Sequence, residues 1–145
     1  MTSDERIPPL LHVDDMPAIR TDEDLRRHWR ALMGPFGRSA HTLWVTFVQS
    51  DRYFVPVMQQ IERLPALPEV GWLDELMSMC RQVDAHEPLT VAFLLSRPGS
   101  AHVSASDRAW ARGLLDAARR ATVRIEPIYL ATGADVRILA ADDLL

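Results

Sequence analysis

The chain has 145 residues, of which 48% are hydrophobic and 25% are charged, and its formal net charge is -4. A chain of this length predicts one globular domain that buries about 68 to 70% of the surface exposed by its unfolded form. The acidic balance argues against a nucleic-acid partner, because such proteins concentrate basic residues on one face.

A single cysteine, Cys80, excludes an internal disulfide and a multi-cysteine zinc site, and it places no demand on an oxidising compartment. No run of residues reaches the roughly 18 apolar positions that a membrane span requires. The N-terminus lacks the basic and apolar regions of a signal peptide. We therefore expect a cytoplasmic protein with no membrane partner.

The first twenty residues contain charged residues and three prolines, a composition that disfavours both helices and strand pairing. We expect residues 1–20 to be a flexible or docked arm and residues 21–145 to form the domain. Thr21 followed by Asp24 is a capping-box pattern, and apolar residues then recur at helical spacing as far as Gly34. This pattern predicts the first helix. His28, on the flank of its apolar face, is interpreted as structural because no second histidine follows at ligand spacing.

The segment from Thr42 to Val48 is rich in β-branched and aromatic residues, and Tyr53 to Val57 follows it after a polar turn. Together they predict a β-hairpin. Pro56 has no N–H to donate, which predicts that the second strand lies at the edge of the sheet or ends its pairing early. An edge strand is a place where a partner can add.

After a proline-rich connector from Leu64 to Gly71, apolar residues recur at helical spacing and predict the buried face of a second helix. These residues are Leu73, Leu76, Met77, Cys80 and Val83. Cys80 is interpreted as a core residue, because burial raises a thiol pKa and no histidine is predicted beside it. The uninterrupted apolar run from Thr90 to Ser96 is typical of a central strand that is covered on both faces.

A Pro98-Gly99 turn precedes a third helix, which Ser104 caps and in which Asp107 occupies the third position. The spacing of Asp116 and Arg120 in this helix predicts an i,i+4 ion pair. Two further strands are predicted, from Val123 to Leu130 and from Val136 to Leu139. The four tryptophans fall in or beside these elements and are interpreted as packing residues.

This order of elements resembles the JAB/MPN (JAMM) fold, particularly its RadC-like branch, and the likeness is strongest in the strand, loop and capped helix from Val91 to Asp107. The chain is also similar to small proteins of GC-rich bacteria that have an RPG loop and a DRAWA helix. The resemblance implies an α/β (α+β) domain with a mixed β-sheet flanked by about three helices.

In that family two histidines and an aspartate hold zinc, a serine assists the bound water, and a glutamate from an earlier strand is the general acid/base. Here Ser104 and Asp107 match the Ser-x-x-Asp motif, but the two possible registers place either Leu94 and Ser96 or Leu95 and Arg97 at the histidine positions. No glutamate occurs between residues 42 and 57. A catalytic zinc needs three protein ligands, so we expect neither a metal or cofactor nor metallopeptidase activity.

Two functions remain as hypotheses. The first is a non-catalytic JAB/MPN-like domain that acts through protein contacts, either as a homodimer or as a subunit of a scaffold. The second is a binder of a small molecule or anion, or an enzyme, that uses a cleft at the N-terminus of the third helix, where backbone N–H groups favour negative charge. The residues of this candidate ligand cleft are Arg97, Ser100, His102, Ser104 and Asp107.

Overall fold

The computed structural model describes residues 18–33, 40–84, 88–133 and 135–145. Within these ranges the helices are α1 (Asp22–Met33), α2 (Val70–Asp84) and α3 (Ala105–Ala121), and a 3-10 helix spans Ala141–Leu144. The strands are β1 (Thr42–Gln49), β2 (Phe54–Glu62), β3 (Leu89–Ser96), β4 (Tyr129–Ala131) and β5 (Val136–Ile138). The predicted α+β domain with a mixed sheet and three helices is confirmed.

The strands form one sheet in the order β2-β1-β3-β4-β5. β3 pairs with β4 in parallel, and every other neighbouring pair is antiparallel. The predicted central position of the Thr90 to Ser96 run is confirmed, and its residues are buried from Val91 onwards. The edge position predicted from Pro56 is also confirmed, because β1 is the only strand among the described residues that pairs with β2.

Two hydrophobic clusters cover the two faces of the sheet. Alternate residues such as Val45 and Phe93 face α2 and α3, whereas Val48 and Leu94 face α1. This alternation follows from the pleat of a strand, and it explains why β3 is apolar throughout. Cys80 lies in the first cluster, where burial raises its thiol pKa to about 11, as expected for a packing residue.

The predicted beginning of α1 is confirmed. The Thr21 hydroxyl accepts from the Asp24 N–H at 3.0 Å, and the Asp24 carboxylate accepts from the Thr21 N–H at 3.1 Å. His28 on this helix is buried, with its ring centroid 4.6 Å from that of Phe54. Of the predicted N-terminal arm, residues 1–17 lie outside the described part. Ile19 is buried, and its N–H donates to the Arg52 carbonyl at 2.8 Å.

Two strand boundaries were wrong. β2 continues to Glu62, beyond the predicted end at Val57, because an edge strand exposes polar residues such as Gln59 and Gln60 on both faces and so lacks a clear alternation. β4 begins only at Tyr129, and before it the predicted strand makes a single bridge, from Ile125 to Val91. Pro127 lies between that bridge and β4 and cannot donate to a ladder.

Two side-chain predictions were also wrong. Val83 is 40% exposed, because it lies in the last turn of α2, beyond the contact with the sheet. Arg120 does not pair with Asp116. Its guanidinium lies 2.8 Å from the carboxylate of Asp74 on α2, and Asp116 instead pairs with Arg119 at 3.2 Å. The neighbouring helix offered a partner that spacing within α3 could not reveal.

Candidate functional site

The loop between β3 and α3 begins at Arg97, whose backbone N–H donates to the Ala131 carbonyl at 3.1 Å. Gly99 has a φ of 100°, a conformation that strongly favours glycine, and this residue allows the chain to turn. The loop ends at Ser104, the N-cap of α3. Residues 97–104 therefore lie at the carboxyl end of the central strand, where the sequence predicted a ligand cleft.

The predicted capping box of α3 is confirmed. The Ser104 hydroxyl accepts from the Asp107 N–H at 3.0 Å, and the Asp107 carboxylate accepts from the Ser104 N–H at 2.9 Å. This reciprocal arrangement satisfies two backbone donors that a helix N-terminus otherwise leaves without partners. It also fixes the direction of the Asp107 carboxylate, which points back towards the loop.

Arg97 and Asp107 form a buried ion pair, with 10% and 4% of their side chains exposed. Nε of Arg97 donates to Oδ1 and Oδ2 of Asp107 at 3.0 and 3.1 Å, and Nη2 donates to Oδ2 at 2.7 Å. Burial alone would raise the pKa of Asp107. The hydrogen bonds from Arg97 and Ser104 and the charge of Arg97 outweigh this effect, so the pKa of Asp107 lies below its ordinary value.

The remaining donors of Arg97 are occupied by the loop itself. Nη1 donates to the carbonyl oxygens of Pro98 and Ser100 at 3.0 and 2.9 Å, and Nη2 donates to that of His102 at 2.7 Å. Every N–H group of the guanidinium thus has an acceptor within the loop or on Asp107. As arranged here, Arg97 has no donor left for an anion.

The free space beside this pair is about 10 Å³. A water molecule needs roughly 10 to 15 Å³ of such space, so the room is at the limit for one water and too small for a substrate. The space is lined by residues of β1, β3, α3 and the segments next to these strands and after β2: His41, Thr42, Leu64, Leu95, Ser96, Arg97, Ser106, Asp107 and Trp110.

Of the five residues of the candidate ligand cleft, the structure brings together the side chains of Arg97, Ser104 and Asp107. Ser100 and His102 are exposed, and they contribute backbone carbonyls to the arrangement. Ligand binding there stays a prediction. A ligand would first have to displace the hydrogen bonds of Arg97.

The residues at the positions where the resemblance implies histidines make contacts that differ from those of metal ligands. Leu94 and Leu95 belong to the two hydrophobic clusters, one on each face of the sheet. Ser96 is buried, and its hydroxyl accepts from the Trp44 indole N–H at 2.8 Å. Within the described ranges no three His, Cys, Asp or Glu residues come together in a way that could hold a metal ion.

A second feature, which the sequence reasoning missed, is the surface that we call the β2–α2 groove. Ile61 of β2 and Trp72 of α2 line two adjoining depressions of about 590 and 530 Å³. The ring centroids of Trp72 and Trp110 lie 5.6 Å apart in an edge-to-face arrangement. The Trp110 indole N–H donates to the Pro65 carbonyl at 2.8 Å, which fixes the floor of the groove.

Exposed apolar side chains extend this groove. Leu67 and Met79, which line it, are 66% and 49% exposed. The sequence contained a signal for this surface, because Trp72, Leu76 and Met79 recur at i, i+4 and i+7 on α2. Leu76 packs into the core, and Trp72 and Met79 beside it line the groove.

No protein-family model matches the chain, and a search of curated proteins gave no match. The JAB/MPN resemblance therefore depends on the residues between Val91 and Asp107 and on the order of the elements. No helix within the described ranges is both long and apolar enough to cross a bilayer.

Proposed function

We propose that this chain is a non-catalytic, JAB/MPN-like domain that acts through contact with another polypeptide, as a homodimer or as a subunit of a larger assembly. One observation carries the proposal. The Arg97–Asp107 ion pair fills the place where the resemblance would put a catalytic centre, whereas the edge of β2 and the groove beside it are accessible.

The ion pair makes it energetically unfavourable to open the cleft. Removing one member of a buried pair leaves an uncompensated charge and costs about 3 to 5 kcal/mol. A ligand that drew Arg97 away from Asp107 would have to offset this amount. An intact pair keeps the loop closed over the N-terminus of α3 and favours a structural role for Asp107.

The edge strand gives a partner its attachment point. A polypeptide that adds to an exposed edge gains main-chain hydrogen bonds, and pockets for its alternate side chains supply specificity. β2 has such a pocket beside it, because Gln59 and Ile61 line the β2–α2 groove. Edge strands without a partner are commonly protected by charged residues or proline. In β2 these residues stand only towards the ends of the strand, Pro56 near one end and Glu62 at the other, and the residues between them are left for a partner.

Affinity capture with matched variants tests the contact surface. Leu67→Asp places a charge in the groove, and Leu145→Asp makes the same change at a residue that is 89% exposed near the C-terminus. We expect both variants to melt like the parent protein, and we expect only Leu67→Asp to lose a protein that the parent captures from extract or to lose a self-association measured by sedimentation. If the parent protein stays monomeric and captures nothing, the proposal is contradicted. It is also contradicted if the two variants capture protein or self-associate equally.

Metal analysis tests the proposal that the domain is not a zinc enzyme. Protein purified without added metal is expected to contain zinc far below one atom per chain. Stoichiometric zinc that disappears in Asp107→Asn would overturn the proposal, because that carboxylate would then be a ligand instead of a partner of Arg97.

A further inference from the structure

We infer that the polypeptide bound by the β2–α2 groove is an extended, apolar and basic segment, which pairs with β2 as an added strand and places lysine or arginine residues against the rim of the groove. This inference rests on the proposed function and specifies its partner. It follows from the charge of the rim, the geometry of the edge and the apolar floor.

The rim carries more acidic than basic residues. Glu62, Glu69 and Glu75 line the groove, and none of them forms an ion pair with a described residue. Arg63 is the one basic residue among the described lining residues.

Some carboxylates elsewhere on the described surface have arginine partners. Asp74 pairs with Arg120, and Asp84 pairs with Arg124. In the groove, three glutamates and one arginine leave an excess of negative charge. A basic partner would reduce that excess, since complementary charges steer association and exclude partners of the wrong sign.

The same charge argues against a second copy of this chain at this edge. Antiparallel pairing of two β2 strands around a two-fold axis would bring two acidic rims close to each other. Like charges that face each other across an interface are unfavourable. A basic segment of another protein meets no such repulsion.

The geometry of β2 indicates where the added strand lies. Pro56 has no N–H, so a partner gains its main-chain hydrogen bonds chiefly along Met58 to Glu62. Because side chains alternate along a strand, every second residue of the partner would lie on the same face of the sheet as Ile61. An apolar side chain there reaches the depression beside Trp72, and a basic side chain two residues further along, on the same face, reaches the carboxylates of the rim.

A pair of probe peptides tests the inference on the full chain. One is a short peptide in which leucine and lysine alternate at every second position, with threonine between them, so that both face the groove, and the other has glutamate in place of lysine. We expect the lysine peptide to bind at low salt, to bind more weakly as salt increases, and to bind better than the glutamate peptide. Equal affinity for the two peptides, or no affinity for either, would overturn the inference.

Charge variants locate the contact. Glu69→Gln combined with Glu75→Gln is expected to weaken binding of the lysine peptide by roughly tenfold, the order expected for two exposed charge pairs. The control, Asp116→Asn combined with Asp142→Asn, removes two carboxylates from another surface and is expected to bind like the parent. An equal loss in both double variants would mean that net charge, and not the groove, attracts the peptide, and would overturn the inference.

Amide hydrogen exchange tests the strand addition. Binding of the lysine peptide is expected to slow exchange at alternate amides between Met58 and Glu62. If exchange in β2 is unchanged on binding, the peptide does not pair with this edge and the inference fails.

The failure of this inference can be distinguished from that of the proposed function. If Leu67→Asp loses a captured protein while Glu69→Gln with Glu75→Gln retains it, the groove binds a partner that is not basic. If Leu67→Asp instead abolishes a dimer of the parent protein, the occupant is a second copy. Either result overturns the inference and leaves the proposed function standing.

Discussion

Arg52 donates hydrogen bonds to both carboxylate oxygens of Glu126, from Nη1 to Oε2 at 2.9 Å and from Nη2 to Oε1 at 3.0 Å. Its Nε also donates to the Ile19 carbonyl at 2.7 Å. Arg52 belongs to the turn of the β1–β2 hairpin, whereas Glu126 precedes β4. One side chain thus connects the hairpin, the segment before α1 and the far half of the sheet.

Arg52 has a φ of 74°, a left-handed conformation that disfavours residues other than glycine. We expect Arg52→Ala to lower the free energy of unfolding by about 2 to 3 kcal/mol, because it removes hydrogen bonds to a charged group and leaves Glu126 without them. Arg52→Gly is expected to lower it by about 1 kcal/mol less, because glycine relieves the strain. Urea denaturation measures both values. Equal losses would show that the backbone strain at residue 52 is negligible.

The pair of Arg97 and Asp107 predicts a dependence of stability on pH. The pKa of Asp107 is lower in the folded protein than in the unfolded chain, where it is about 3.9. The stability that this shift contributes is therefore complete above that value and is lost as the pH falls through the lowered pKa of the folded state. We expect the acid side of the stability curve to be flatter in Asp107→Asn than in the parent. If the free energy of unfolding falls equally steeply with decreasing pH in both proteins, this assignment is wrong.

The same pair predicts strong coupling between its two positions. Asp107→Asn and Arg97→Met each leave one buried charge unpaired, and each is expected to lower the free energy of unfolding by about 3 to 5 kcal/mol. The double variant is expected to lose less than the sum of the two, because neither charge then remains. A double-mutant cycle by chemical denaturation measures the coupling, and additive losses would mean that the pair does not stabilise the loop.

Gly113 of α3 packs closely against Leu73 of α2. A Cβ atom at this position would lie 2.8 Å from Cδ1 of Leu73 and 3.2 Å from Cγ of Pro68. We expect Gly113→Ala to lower the free energy of unfolding by about 1 to 3 kcal/mol through overpacking. Gly71→Ala in α2 is the matched control, since nothing lies within 4 Å of its Cβ position, and it is expected to raise stability by about 0.5 to 1 kcal/mol. Thermal melting distinguishes the opposite signs.

Thr122 ends α3 in a left-handed conformation, with φ 58° and ψ 42°. The following N–H, that of Val123, donates to the Ala118 carbonyl at 2.8 Å, as in helix ends that usually place glycine here. We expect Thr122→Gly to raise the free energy of unfolding by about 1 kcal/mol. A lower melting temperature for this variant would show that the threonine side chain makes a compensating contribution.

The elements that could be predicted from the sequence are those whose signals are local. The capping boxes at Thr21 and Ser104 each involve residues three positions apart, and both were predicted correctly. The apolar run of β3 predicted a central strand because burial on both faces requires apolar residues at every position. Pro56 predicted an edge because it lacks a donor.

The errors occurred where a distant residue decides the outcome. β2 extends to Glu62 because β1 pairs with it, although its own polar residues gave little strand signal. Arg120 selects Asp74 on another helix over Asp116 on its own. Trp72 packs against the core, as predicted, but it also lines a groove that was missed because the second wall, β2, had been predicted to end too early.

The sequence by itself determined the order of the helices and strands, the residues of the core, and the absence of the family's two histidines at the end of β3 and the start of the loop after it. Tertiary structure alone decided that Arg97 turns back onto Asp107 and fills that loop, and that β2 and α2 enclose an apolar groove with an acidic rim. Caps, proline effects and hydrophobic periodicity act between near neighbours in the chain. The partner of a charge and the wall of a groove come from elements that only folding brings together.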